Sequence, residues 1–392
     1  MTDTTLGLRP GTVLVATGIF SITLVSFLRS PLLPSIGRDL DLGAFGLSAI
    51  IGSFGLGRVL VDLPAGSATD RFSIGGMMGV AALVVAGGAT VLALAPNIVV
   101  LLLGAVLLGM GSAWAAAAAI AFFSSAPRAT RGMSVSIYGG SLLTAQAMGP
   151  LIAGFAAVLV DWRIVLVGGG AMSLVLAPLF FRATTVESSG REAMRSGQSE
   201  ETDVSNAVLW IIYAMPAVQF GIGAAVIQTL MPIIGEDDLG YTSATVGLAL
   251  GLGGAIRFVS ALTAGAASDK YGRKTALVPS LVVQLVGLIV FALDFGAWGW
   301  WLSVALLTVG SVAANVGGTI LADLSEGGPL GRRLGRYRVV GDAALMLAPL
   351  LTGYLFAEYG LRVSVGFLIC AALAVLIGST RLPETRLAST AS

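Results

Sequence analysis

The chain has no histidine and a single cysteine, Cys370, among its 392 residues. Without histidine it lacks the side chain that most often moves protons near neutral pH, acts as a general base or binds a metal. One cysteine excludes an intrachain disulfide and a cysteine metal cluster. Charge is scarce too: Asp, Glu, Lys and Arg make up 11% of the residues, where a soluble domain carries about 25%. No G-x-x-x-x-G-K-[ST] loop is present, so there is no phosphate cradle for ATP-driven pumping. Nothing points to nucleic-acid binding or hydrolytic chemistry, and no enzyme activity, cofactor or metal site is expected.

Apolar sequence fills the space. Hydrophobic residues make up 56% of the chain, and runs of roughly 20 apolar residues, enough to cross ~30 Å of hydrocarbon, recur twelve times. The runs cover residues 11–34, 45–66, 74–95, 98–123, 133–159, 162–182, 206–233, 243–266, 275–296, 299–323, 337–357 and 361–381. A barrel would need ~10-residue segments of alternating polarity, which are absent, so the expected fold class is an all-α membrane protein of twelve transmembrane helices. The first run is too long for a signal-peptide core and is expected to be retained.

Most of the 22 lysines and arginines fall at the two chain ends and in the even-numbered connections. That bias places both termini in the cytoplasm of a multi-pass protein of the cell membrane, of the prokaryotic cytoplasmic-membrane kind. Residues 183–205 are the longest polar stretch and are expected to link a first bundle, 1–182, to a second, 206–392.

The halves repeat one another at a constant offset of 199. Gly52, Gly55, Arg58, Ala65, Gly66 and Asp70 fall on Gly251, Gly254, Arg257, Ala264, Gly265 and Asp269, while Tyr138, Pro150, Leu151, Gly154 and Arg163 fall on Tyr337, Pro349, Leu350, Gly353 and Arg362. One register thus aligns spans 2 and 8 as well as 5 and 11. Parallel repeats of six spans imply two pseudo-symmetric bundles about an axis along the membrane normal, with a central cavity between them.

GSATDRFSIG, from Gly66 to Gly75, and GAASDKYGRK, from Gly265 to Lys274, resemble two copies of the loop signature that follows spans 2 and 8 in the major facilitator superfamily. The second copy matches throughout; the first has Ser73 in place of the signature glycine and no basic pair after it. GPLIAG, from Gly149 to Gly154, is similar to the Gly-Pro motif of exporters in that family, and APLLTG, from Ala348 to Gly353, is its weaker echo. In motif style the resemblance is with drug and metabolite efflux members. It implies the family's twelve-helix fold, alternating access, and a gating role for Gly66, Asp70, Arg71, Gly265, Asp269, Lys270, Gly272 and Arg273. Asp70 and Asp269 are expected to cap a neighbouring helix and hold the halves in one state. Gly149, Pro150, Gly154, Pro349 and Gly353 are expected to act as hinges and points of close helix approach. Ala105 stands in span 4 where proton-coupled relatives carry an arginine.

Charges inside spans need a partner, water or a function, since each costs ~2.5–3.5 kcal/mol at the bilayer centre. Arg58 and Arg257 are repeat counterparts, and across one cavity they form a candidate anion clamp. Asp62, one turn from Arg58, is expected to pair with it; Arg257 lacks such a neighbour and points to Asp342. Asp62 and Asp342 are also the candidate proton carriers. Arg29 is expected to snorkel at the outer end of span 1. Gln228, its counterpart, together with Gln146, Asn315, Tyr213 and Trp114, completes the candidate substrate-binding set; Gln219 and Gln284 read as packing residues.

Three functions fit. The first is a secondary transporter, an antiporter in style, exporting small amphipathic or organic compounds. The second moves a small anion inward or by exchange. The third is a membrane sensor or scaffold without transport, against which the intact loop motif of the second half speaks. The expected partners are a small-molecule or ion substrate, the lipid bilayer and protons, with no nucleic acid, and the expected state is a monomer.

Overall fold

The computed structural model describes residues 11–69, 71–182, 205–324 and 330–384. Among them are twelve helices long and apolar enough to cross a membrane. They are α1 Thr12–Leu40, α2 Ala44–Ala68, α3 Ile74–Ala93, α4 Ile98–Ser124, α5 Arg128–Leu159 and α6 Trp162–Arg182, then α7 Asn206–Asp238, α8 Ser243–Tyr271, α9 Arg273–Leu293, α10 Gly296–Asp323, α11 Leu330–Tyr359 and α12 Leu361–Ser379. Of the linker proposed at 183–205, residues 183–204 lie outside the described residues, and so does Asp70.

The helices agree with the apolar runs, and where they differ the polar ends explain why. α1 runs on to Leu40 through a 3-10 turn at Ser30–Leu32, because LPSIGRDL after it is amphipathic and hydropathy alone ends the run early. α7 continues to Asp238 through two π-helical turns, Gly223–Leu230 and Ile234–Asp238. Helix starts carry side-chain caps: Ser73 accepts from Gly76 N, Asn97 from Val100 N and Thr242 from Thr245 N. Ser73, which departs from the loop signature, is therefore the N-cap of α3.

α1–α6 pack around one apolar core and α7–α12 around two further clusters. The bundles meet along two seams, α2 against α11 and α5 against α8, and the 199 offset turns one into the other. A Cβ added to Gly52 would meet Leu350 at 2.9 Å, and one added to its counterpart Gly251 would meet Leu151, the counterpart of Leu350, at 3.0 Å. A Cβ on Gly55 would lie 2.5 Å from Met346 N, and one on Gly254 would lie 2.6 Å from Ala147 Cα. Glycine at these positions lets two backbones touch, which is how helices associate where lipid supplies no hydrophobic drive.

Both chain ends of the helical region, where α1 begins and α12 ends, lie at one end of the molecule, called here the termini end. The seams are tight at the opposite, distal end. Gly154 and Gly247 face each other across α5 and α8, with a Cβ on Gly154 2.8 Å from Gly247 Cα, and Gly353 lies against Ser48 across α11 and α2. Toward the termini end α5 and α8 diverge: a Cβ on Gly140 reaches only Phe258 at 3.9 Å, and one on Gly132, Gly139 or Gly265 meets nothing within 4 Å. A cleft of about 580 Å³ opens there between α1 and α5, with a largely apolar lining in which Val13, Ala16, Phe20 and Ile137 stand beside Thr17, Ser141 and Thr144. The α5–α8 seam is thus tight at the distal end and parted toward the termini end.

Candidate functional site

Among the described residues five polar links cross from one bundle to the other, and the residues singled out in the spans supply most of them. Arg58 on α2 donates from Nε and Nη2 to the two carboxylate oxygens of Asp342 on α11, at 2.7 and 3.0 Å, and from Nη1 to Ser112 Oγ on α4 at 3.1 Å. Arg338, one turn before Asp342, donates to Asp62 Oδ1 at 3.2 Å. Arg257 on α8 donates to Gln146 Oε1 on α5 at 3.0 Å. Arg29 on α1 donates to Gln228 Oε1 on α7 at 3.3 Å. At the distal end Arg38 reaches Glu236 at 2.8 Å and Asp237 at 3.5 Å.

Two of these links join residues exactly one repeat apart, Arg29 with Gln228 and Arg38 with Asp237. Counterparts can touch only on the pseudo-twofold axis, so α1 and α7 cross that axis and close the distal end.

These partners correct three expectations. Arg58 does not pair along its own helix with Asp62: Asp342 offers both oxygens to its planar fork, a geometry that the next turn of one helix cannot match. Asp62 is left to Arg338 instead. Asp342, expected beside Arg257, is therefore spent on Arg58, and Arg257 has a glutamine in place of a carboxylate. Arg29 does not snorkel. It is fully buried, with its guanidinium 4.0 Å from the Phe54 ring centre.

Several of the remaining candidates carry polar atoms that are buried without a hydrogen-bond partner: Trp114 Nε1, Tyr213 Oη, Arg257 Nε and, beyond the expected set, Arg29 Nε and Nη1. An unsatisfied buried donor costs about 1–3 kcal/mol, so such groups mark places where water or a ligand belongs. Asn315 on α10 is exposed. Arg29, Ser112 and Arg338 were absent from the candidate set; the register that matched Gln228 to Arg29 was the signal that marks the first of them.

The loop motif of the second half is an ion-pair network within its own bundle. Arg273 donates to Asp269 at 2.5 Å, to Asp323 at 2.9 Å and to Ser268 Oγ at 3.1 Å. Asp269 caps no helix: the start of α9 is capped by Glu384, which accepts from the backbone N–H of Arg273 and Lys274. Gly272 has φ +108, and a Cβ there would lie 2.9 Å from the Glu384 carboxyl, so only glycine fits. Lys270 lies over the Tyr271 ring, and Arg71 is exposed beyond α2. Of Gly149, Pro150, Gly154, Pro349 and Gly353, the prolines lie inside unbroken α5 and α11, and the glycines sit at close approaches, Gly149 against the Leu24 carbonyl of α1.

The sequence profile of the Major Facilitator Superfamily matches residues 15–262 and 220–390. The chain belongs to this superfamily, a family of transporters and not of enzymes. Within the superfamily its fold is shared with the D-xylose-proton symporter, with a TM-score of 0.77 at 18% identity over 95% of this chain and 98% of that one. It is shared equally with a bacterial homologue of the human lysosomal transporter Spinster in an inward-facing, unoccupied form, with a TM-score of 0.77 at 16% identity over 98% of this chain and 100% of that one. Among facilitators of curated function, the inner membrane transport protein YajR of Escherichia coli (strain K12) is 31% identical over 105 residues, 27% of this chain and 23% of that protein. The multidrug resistance protein MdtH of Yersinia pestis (strain Pestoides F) is 32% identical over 89 residues, 23% of this chain and 22% of that protein. The aligned segment spans less than a quarter of the length of either relative.

Proposed function

We propose that this facilitator is a secondary active transporter working by alternating access, and that it exports small amphipathic or organic compounds from the cytoplasm. The uneven seam carries this reading: two bundles related by a twofold axis, packed tightly at the distal end and parted along α5 and α8 toward the termini end, can rock to the opposite arrangement by exchanging equivalent contacts. The basic residues at the termini end support a cytoplasmic position for the parted end. The Gly-Pro segment in α5 and the partial likeness to MdtH support export. Asp62 and Asp342, both at the bundle interface, are the groups proposed to couple transport to protons. The clamp of Arg58 facing Arg257 has no support, since Arg58 is committed to Asp342.

Alternating access has a direct test in the distal ion pair of Arg38 with Glu236. Spin labels on a Cys370→Ala background, at Val160 and Phe295 for the distal end and at Phe72 and Tyr271 for the termini end, report the two openings. Arg38→Glu is expected to lengthen the distal distance and shorten the other. Adding Glu236→Arg should restore both. Distances that ignore the charge reversal, or ends that do not move in opposition, contradict the reading.

A further inference from the structure

Arg29 and Arg257 share a chemistry. Arg29 is fully buried and Arg257 partly so, and the partner of each guanidinium is the carbonyl of a glutamine on the opposite bundle. A glutamine offers a dipole where Arg58 and Arg338, the other two arginines that bridge the bundles within the spans, have a full negative charge. Among the described residues neither Arg29 nor Arg257 has a carboxylate within ion-pair distance. Two positive charges are therefore left over where the bundles meet, in surroundings where an unpaired ion costs several kcal/mol.

The unpartnered atoms point the same way. Arg29 presents Nε and Nη1, Arg257 presents Nε, and Trp114 Nε1 and Tyr213 Oη add two neutral donors. The other unpartnered buried atoms among the described residues are the hydroxyls of Ser30, Ser48 and Ser173, which donate or accept, and one carboxylate oxygen, Asp62 Oδ2, whose other oxygen already accepts from Arg338. A neutral or cationic ligand would leave the donor surplus and the excess charge in place. A ligand that accepts hydrogen bonds and brings negative charge removes both, and guanidinium forks fit planar oxyanions.

Resting on the transporter reading above, we propose that the substrate is a small organic anion, a carboxylate or like oxyanion, held across the bundle interface by Arg29 and Arg257, with Gln228 and Gln146 holding the two guanidinium groups in the empty state. When the bundles rock, each Arg–Gln bond must break. An anion that replaces the glutamine carbonyl as acceptor keeps the guanidinium satisfied through the change, which ties movement of the bundles to an occupied site.

The test uses the full chain in detergent, with acetate, benzoate and inorganic phosphate as probes and tetraphenylphosphonium as the cationic comparison, at matched ionic strength. Benzoate or one of the other two anions is expected to raise the melting temperature by several degrees once well above its dissociation constant. Arg29→Gln and Arg257→Gln should each weaken that effect at least tenfold in concentration, while Arg29→Lys and Arg257→Lys keep part of it. In the absence of anion Arg29→Gln should melt at or above the parent, because it deletes a buried charge that has no counter-charge; a merely structural arginine would give a lower melting temperature. No stabilisation by any of the three anions, equal stabilisation in both glutamine variants, or stabilisation by tetraphenylphosphonium alone overturns the proposal. The spin labels keep the two readings apart. Labels that move in opposition without anion binding sink the anion and leave the transporter, and anion binding with immobile labels does the reverse.

Discussion

Asp342→Ala is expected to destabilise the protein by about 3–5 kcal/mol. The Asp342 side chain has no solvent exposure and that of Arg58 has 15%, so removing the carboxylate leaves a largely buried guanidinium with little access to water. Both of its hydrogen bonds to Asp342 go at once, and only Ser112 Oγ remains as an acceptor. Reversible unfolding by SDS in mixed micelles measures the loss. The double variant Arg58→Met with Asp342→Leu should recover most of it, because the penalty comes from the orphaned charge and not from the absence of an ion pair. Asp62→Asn should cost less, since its partner Arg338 is 29% exposed and keeps access to solvent. A small loss in Asp342→Ala would show that water reaches the Arg58 side chain and that this part of the seam is wet.

That contrast between Arg58 and Arg338 also marks the limit of what the sequence reveals. Hydropathy and length place the helices, because a backbone in hydrocarbon must satisfy its own polar groups and only about 20 apolar residues do so across the bilayer. The 199 offset goes further: Gly52, Gly55, Gly251 and Gly254, picked out as repeat matches, are the residues at which the seams close. Interior charges are legible as residues but not as pairs. Asp62 stands one turn from Arg58, and that local partner is visible in sequence, whereas Asp342 is 284 residues away and is brought in only by the seam. Depth is misread for a related reason. With the first span ended at residue 34, Arg29 lies near its edge; α1 in fact continues to Leu40, which puts Arg29 eleven residues, about 16 Å, from the helix end and out of reach of the interface.

The Gly-Pro segments acquire a different emphasis from the structure. Gly154 faces Gly247, and its repeat counterpart Gly353 faces Ser48, the counterpart of Gly247, so both seams are pinched shut at the distal end by the same device. Gly154→Val is expected to cut transport at least tenfold. Its Cβ would lie 2.8 Å from Gly247 Cα, and α8 backbone, unlike the end of a flexible side chain, cannot move aside without parting the helices. Gly353→Val meets the Ser48 side chain, which can rotate, and should have the weaker effect. Transport is read as flux in proteoliposomes and the mechanism by the distal spin-label pair, which should lengthen in Gly154→Val as the distal end is held apart. Gly168→Val and Gly366→Val serve as controls, since a Cβ at either meets nothing within 4 Å. If Gly154→Val lengthens the distal distance and stops flux while the protein stays folded, the closed distal seam is one half of the transport cycle. If flux persists with the seam propped open, closure at Gly154 is a packing contact, and the movement between states must occur elsewhere in the interface.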